Sequence, residues 1–450
     1  MLAPTSSSEA VAEKHARYVL TPWIAQKGAH PPVIVRAHGS TLVDADGKEY
    51  IDLTAGLVAV NLGHGHARLA EAIGEQARRL TFSPPTWAND MRAELAERLV
   101  QLVGWPQGGR VFFTTGGADA IDDTAKMLRL ATGRPKVLAA YRSFHGSSAG
   151  ASSITGESRR WPAEPGTPGV VHFFAPYPYR SPFNTNDPAE EARRALEHIE
   201  LILTYEDPER IAALFIEPIV GSNGIIVYPD GYLQGLRKIC DRHGIKLVFD
   251  EVMTGFGRTG AAFAAHRFGV RPDAIVFAKG VTSAYVPLGG VILREDLARY
   301  FDDNVLWAGH TYSGHPLAMA AGVATLDAYR DEKVFERALE LEGTLRPALE
   351  KLARAHRSIG EVRGVGAFFG IELVKDRKTR EPVVPWQGKD AGEMATFNNS
   401  LRKRGAWVLT RYNFAAISPP LVIEQAELDR GLEALDGALG DLEKALGIAG

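Results

Sequence analysis

Three apolar runs in this chain end in residues able to do acid–base or nucleophilic chemistry. AALFIE closes on Glu217, KLVFDE on Asp250 and Glu251, and DAIVFAK on Lys279. Charges at the tips of such runs are costly to take out of water unless they are paired or used. Open parallel sheets bind their ligands beyond the carboxyl ends of the strands. One such charge would simply be the first solvated residue after a strand. Three in succession, including a lysine directly after VFA, point to a site.

A lysine facing an aspartate at a strand edge suits one kind of chemistry. Pyridoxal 5′-phosphate (PLP) needs an amine to hold it as an imine and a carboxylate to keep its pyridine nitrogen protonated. Lys279 would serve as the first and Asp250 as the second. A lysine taken out of water loses basicity and becomes a better nucleophile and proton carrier. The phosphate needs backbone donors. FFTTGGADAIDDTAKMLR reads as a strand, a Gly-Gly turn and an amphipathic helix with Ala118, Ile121, Ala125 and Leu128 on one face. The N–H groups of Gly116, Gly117 and Ala118 would meet an anion at the helix start, where the dipole favours one. Strand–Gly-Gly–helix junctions are also common as plain structure.

Other motifs are weaker. GFGRTG at 255–260 matches the dinucleotide fingerprint, but charged residues separate it from the preceding strand and the next strand ends in Lys279 rather than an acid. GSSAG at 146–150 matches the hydrolase elbow around Ser148, yet YRSFH stands between that serine and the strand KVLAAY. His64 and His66 in GHGH, and His310 and His315 in HTYSGHP, lack a companion carboxylate pattern, so no metal site is expected.

The elements that position these residues follow from periodicity. Residues 33–53 alternate apolar and polar positions around HGS and DADGK, an antiparallel meander. Leu69, Ile73 and Leu80 fit one helix face, and Met91, Leu95, Leu99 and Leu102 the next. Between about 110 and 292, the runs RVFFTT, PKVLAAY, GVVHFFA, AALFIEPIV, IKLVFDEV, DAIVFAKG and LGGVIL alternate with helical stretches, as parallel strands covered on both faces do. Segment 156–190, rich in Pro and Gly, reads as a long surface excursion. RGVGAFFGIELV (363–374) is strand-like. Leu428, Leu432, Leu435, Leu439, Leu442 and Leu446 suit a terminal helix packed on its own domain better than a zipper. A large α/β domain (65–330) is therefore expected, flanked by 1–64 and 331–450, which meet in one smaller α+β domain.

Composition excludes several classes. A 450-residue chain can hold more than one core, and a net charge of −3 favours no nucleic-acid partner. The lone Cys240 excludes an intrachain disulfide and reads as a buried, inert thiol. The N-terminal MLAPTSSSEAVAEKHARYVL has no apolar core for a signal peptide. No stretch approaches the ~18–20 apolar residues of a membrane span. A soluble cytoplasmic protein is expected.

KLVFDEVMTGFGRTG followed by PDAIVFAKGVTSAYVPLGGVIL strongly resembles the class III aminotransferases, the group of ω-amino acid and amine transaminases. AGLVAVNLGHGH, TGGADA, FHG, FIEPIVGSNG, GHTYSGHPLA and RGVGAFFGIEL extend the match, in order, over nearly the whole chain. The resemblance implies PLP-dependent fold type I with a mostly parallel central sheet, and a homodimer with active sites shared at the interface. By it, Lys279 holds the cofactor and Asp250 faces the pyridine nitrogen. Val252 packs on one ring face, and Phe144, where many relatives carry Tyr, stacks on the other. Gly116, Gly117 and Ala118 hold the phosphate with Thr311 of the neighbouring subunit, and His145 and Glu217 lie beside the cofactor. Asp119 replaces a usual Glu and Ile121 a usual Asn. Val58 stands where several relatives have Trp and should widen a substrate pocket, whose other wall Phe82 and Trp87 would line unless they are core aromatics. Arg411 falls near the mobile arginine that binds substrate carboxylates, at a shorter distance from Pro419-Pro420 than in relatives.

The implied reaction moves an amino group from an amine or a β- or ω-amino acid to an α-keto acid such as pyruvate, with ping-pong kinetics through Lys279. The alternatives are an aminomutase of the same family or, from another class, a serine hydrolase using Ser148.

Overall fold

In the computed structural model, which describes residues 8–28 and 31–448, the segment read as a meander is one: β1 (Ile34–His38), β2 (Thr41–Asp44) and β3 (Glu49–Asp52) pair antiparallel. Asp44 Oδ1 accepts the N–H groups of Asp46 at 3.0 Å and Lys48 at 2.9 Å, which closes the DADGK turn. Of the N-terminal stretch, residues 1–7 lie outside the described residues and Ser8–Tyr18 is a helix. No described helix is long and apolar enough to cross a membrane.

The seven apolar runs are seven strands of one sheet. They are β4 (Gly109–Thr114), β5 (Lys136–Ala140), β6 (Val170–Phe173), β7 (Ile211–Ile216) and, after the small hairpin β8 (Ile219–Val220) and β9 (Ile226–Val227), β10 (Lys246–Asp250), β11 (Ala274–Phe277) and β12 (Gly289–Arg294). The order across the sheet is β4-β12-β11-β10-β7-β5-β6. Alternate residues of each strand feed two cores. Leu214, Ile216, Leu247, Phe249 and Phe277 pack with Leu233, Leu236 and Ile239 of the helix Tyr232–His243. Phe215, Val248 and Val276 pack with Ile121, Ala125 and Leu128 of the helix Gly117–Thr132. Both faces are dry, so the strands are apolar throughout and show no alternation.

Three details differ from expectation. β12 runs antiparallel to both β11 and β4, because residues 278–288 are too few for the crossover a parallel return requires. The segment 156–190 is not all surface: β6 forms the sheet edge and Glu157 is buried. Leu80 lies beyond the end of the helix Ala67–Arg79 and is 37% exposed, while Leu69 is buried.

The rest of the chain adds β13 (Ile359–Val365), β14 (Phe368–Asp376), β15 (Glu381–Pro382), β16 (Ala406–Trp407), β17 (Leu409–Arg411) and β18 (Phe414–Ile417). β16 pairs parallel with β3, so the two ends of the chain share one sheet. The terminal helix Gln425–Leu446 starts in a capping box between Glu424 and Glu427. It buries Leu428, Leu435, Leu439 and Leu442 against the helix Glu393–Lys403 and β3, with Leu432 and Leu446 partly covered. The leucines thus belong to the core. Leu439→Ala is expected to cost ~2–5 kcal/mol, read as a lower denaturation midpoint, whereas Glu433→Ala on the exposed face should stay within about 0.5 kcal/mol. A Leu439→Ala protein as stable as its parent would return the stripe to a zipper role.

Candidate active site

Parallel pairing of β7, β10 and β11 sets Phe249 beside Ile216 and Asp250 beside Val276, so the three strand ends open on one edge. Glu217, Asp250 and Lys279 follow at that edge and line a cavity of about 240 Å³. Glu251, read from the sequence as part of the same cluster, turns the other way. It is buried and accepts the N–H groups of Ala264 at 2.6 Å and Ala265 at 2.8 Å and the Thr254 hydroxyl at 2.9 Å. Burial pushes its carboxyl up to about 7, and it ties Thr254 to the start of the Ala264–Arg267 turn, on either side of the GFGRTG segment. There Arg258, fully buried, bonds the carbonyls of Ala367 and Pro419 and the side chain of Asn61, which leaves that motif a packed turn rather than a phosphate loop.

Lys279 opens a short 3-10 turn (Lys279–Thr282) with φ of 45°, a left-handed conformation that costs an L-residue of order 1–3 kcal/mol and persists only where the surroundings impose it. They do so here: Tyr329 donates to the Gly280 carbonyl at 2.6 Å. A Cβ on Gly280 would meet Phe256 at 2.9 Å, so only glycine fits so close. Burial lowers the Lys279 amine to about 8, against the opposing pull of Asp250 and Glu217 and with help from Arg159 and Arg258.

Asp250 is fixed by two donors: its Oδ1 accepts the Val252 N–H at 3.0 Å and its Oδ2 lies 2.7 Å from His145 Nδ1. His145 Nε2 is buried and has no partner among the described residues. Glu217 accepts the Phe144 N–H at 2.9 Å and the Gly221 N–H at 2.7 Å, tying the FHG turn to the strand edge. Its carboxyl is raised, chiefly by burial. The helix Gly117–Thr132 enters the cavity by its N-terminus, with Gly116 in the cap position and no side chain capping it. The first N–H groups of a helix have no intrahelical acceptor, so Gly117 and Ala118 offer donors toward the cavity. Asp119 pairs instead with the Thr115 hydroxyl, and Ile121 is core.

Phe144, His145, Glu217, Asp250, Val252, Lys279 and the Gly117–Ala118 turn, singled out from the sequence, thus border one cavity. Gly146, Ser147 and Met253 complete it without having been named as site residues; they lie inside the FHG, GSSAG and KLVFDEVMTGFGRTG motifs, which is the signal that could have found them. Five other expectations fall elsewhere. Val58 is 2% exposed, in a cluster with Ile219, Ile225, Phe368 and Phe414 against which Met253 also packs, so it is one layer from the cavity and not its wall. Phe82 and Trp87 are 40% and 68% exposed, so they are not core, and they do not line the Lys279 cavity of their own chain. Thr311 is exposed on the chain near Tyr312, whose ring meets Phe82 at 6.4 Å. Arg411 is not a plain surface arginine: its Nη2 donates to the buried Glu157 at 2.7 Å.

Glu157 also takes Arg159, whose guanidinium carbon stands 3.5 Å from the centroid of the Phe144 ring. Trp23 meets that ring edge-on at 6.1 Å. Nothing in the local spacing of GESRR ties it to residue 411. Ser148 stands at the N-cap position of the helix Ala149–Ile154, well past the end of β5, so it does not stand on a strand tip. Among the described residues, no group of three or more His, Cys, Asp or Glu could hold a metal ion.

The cavity fits PLP chemically. A lysine of lowered pKa, a fixed carboxylate, an uncapped helix N-terminus for the phosphate and apolar walls at Val252 and Phe144 converge on it. Residues 24–439 match the family described as Aminotransferase class-III. The omega-aminotransferase of Caulobacter vibrioides is 37% identical over 432 residues, covering 92% of this chain and 94% of that protein. Among solved structures, the taurine:2-oxoglutarate aminotransferase of Bifidobacterium kashiwanohense, in complex with PLP and glutamate, superimposes with a TM-score of 0.95 at 41% identity, covering 98% of this chain and all of that one. An (S)-enantioselective omega-transaminase from Thermomicrobium roseum gives 0.92 at 36% identity, covering 98% of this chain and 100% of that one. The fold is that of the type I PLP-dependent transferases, and the chain belongs to the class III aminotransferases, enzymes that use pyridoxal 5′-phosphate.

Proposed function

We propose that Lys279 and Asp250 are the catalytic pair and that the donor is an amine carrying a terminal anion. The observation that carries the first part is the convergence of a desolvated lysine and a doubly bonded aspartate on one cavity. Bound PLP supplies an electron-accepting ring that stabilises charge on the substrate carbon. Lys279 Nζ would hold the cofactor and, when free, would take the proton from the carbon bearing the donor's nitrogen. Asp250, oriented by His145, would keep the pyridine nitrogen protonated. Val252 and Phe144 would flank the ring, and Gly116, Gly117 and Ala118 would hold the phosphate, joined by Thr311 of the partner subunit. Glu217 fixes the FHG turn beside the ring.

Arg159 and Arg411 share a single carboxylate, Glu157, so the pair keeps one uncompensated positive charge next to Phe144. A carboxylate or sulfonate at the far end of a donor can replace Glu157 as the partner of either guanidinium. That favours ω-amino acids and taurine-like aminosulfonates, with an α-keto acid such as pyruvate as acceptor. The likeness to an enzyme described as acting on taurine and 2-oxoglutarate supports the same class.

The organisation we infer is a cytoplasmic homodimer of chains divided at 1–64, 65–330 and 331–450. Trp87, Trp307 and Tyr312 are 68%, 72% and 60% exposed, and large apolar side chains so exposed are suited to burial against a second copy.

Lys279→Ala should lose at least about 10²–10⁴-fold in turnover; normal turnover would end the assignment. Supplying PLP to cofactor-free protein should develop visible absorbance at a rate that rises with pH and levels off above about 8. The amine is protonated below that value and free above it, whereas an ordinary lysine would keep gaining up to about 10.4. Arg411→Met and Arg159→Met should raise KM for β-alanine or taurine by about 10–100-fold, the worth of a charged hydrogen bond. They should leave 1-phenylethylamine far less affected. Equal effects on both donors would remove the anion-binding role.

A further inference from the structure

A second cavity, of about 400 Å³, is lined by Tyr141 and Arg142 and shares no lining residue with the Lys279 cavity, to which Phe144 belongs. Its floor is Arg142, a residue with no part in the chemistry above. Arg142 has φ of 65°, held there by Asn223, whose side-chain N–H donates to the Arg142 carbonyl at 2.6 Å. Its guanidinium stands 3.8 Å from the Trp386 ring centroid and 4.9 Å from that of Tyr177. Its one acceptor among the described residues is the Asn223 carbonyl at 3.3 Å, and its Nε is buried with no partner. Arg180, on the opposite wall, also has a buried, unpartnered Nη2. Buried guanidinium N–H groups without acceptors are costly, and an anion in this cavity would supply the acceptor.

Charge points the same way. Arg142, Arg180 and Arg363 gather around two carboxylates, Glu361 and Glu372. Glu372 is already bonded by Tyr177, Arg180, Arg363 and Asn413, so Arg142 stays without a counter-ion. Arg160 at the rim pairs with Glu164 at 3.3 Å, a contact that an incoming anion can exchange. The remaining walls are flat and apolar: Tyr141 and Phe174 lie 4.8 Å apart, and Trp161 and Phe174 are 51% and 48% exposed. We propose that this cavity is a second ligand site, separate from the Lys279 cavity, for a small organic anion (carboxylate, phosphate or sulfonate) on a planar apolar body. The anion would lie on Arg142 and Arg180, and the body between the aromatic walls.

Calorimetric titration of the PLP-saturated enzyme with phenyl phosphate tests this without reference to the transamination assignment. Saturable binding at one site per chain is expected, with Kd at or below about 1 mM. It should weaken at least tenfold in Arg142→Met and in Trp386→Ala and persist in Arg411→Met. Inorganic phosphate, lacking the ring, should bind more weakly. Cofactor absorbance and melting temperature report whether each variant folds; if Arg142→Met does not, Trp386→Ala and Arg160→Gln carry the comparison. Absence of saturable binding, binding that these variants leave intact, or binding lost only in Arg411→Met overturns the proposal. Equal affinity for inorganic phosphate overturns its planar-body part.

Discussion

Taking the Lys279 amine out of water lowers it to about 8 although Asp250 and Glu217 both favour its charged form. Desolvation wins that contest, and much of the surrounding architecture maintains it. Dry strands on both faces of the sheet, a 3-10 turn pinned by Tyr329 and a glycine at 280 pressed against Phe256 keep the lysine at the strand edge in a backbone conformation it would not adopt alone. A more open turn would return the amine to solvent and to its ordinary basicity.

The carboxylates around it are sorted by their donors. Asp250 receives two and faces the cavity. Glu217, next to it in space, spends both oxygens on the backbone of the FHG turn and the Gly221 segment, so it shapes the cavity while its own carboxyl is pushed up by burial. Glu251, one residue from Asp250 in the chain, points away because successive side chains of an extended segment take opposite sides. It caps the Ala264–Arg267 turn instead. Three acids close together thus do three jobs, decided by which backbone N–H groups each one meets.

Arginines are handled by the same economy of partners. Glu157 serves Arg159 and Arg411, and Glu372 serves Arg180 and Arg363. Each cluster leaves positive charge over; Arg180 of the Glu372 cluster lines the Arg142 cavity, and Arg159 of the other lies against the Phe144 ring. Unpaired charge next to enclosed space is where recognition of an anion costs the least reorganisation.

The sequence by itself determined the fold class, the seven strands of the central sheet and the strand-tip identities of Glu217, Asp250 and Lys279, because burial on both faces writes itself as continuous apolar runs and parallel strands align their ends. Motif order carried the family. What only the tertiary structure decided depends on groups far apart in the chain. The reversal of β12 follows from the short link at 278–288. The burial of Val58 needs Phe368 and Phe414, and the engagement of Arg411 needs Glu157. No local periodicity reports such pairings, since they are set by which surfaces meet after the chain has closed its long loops.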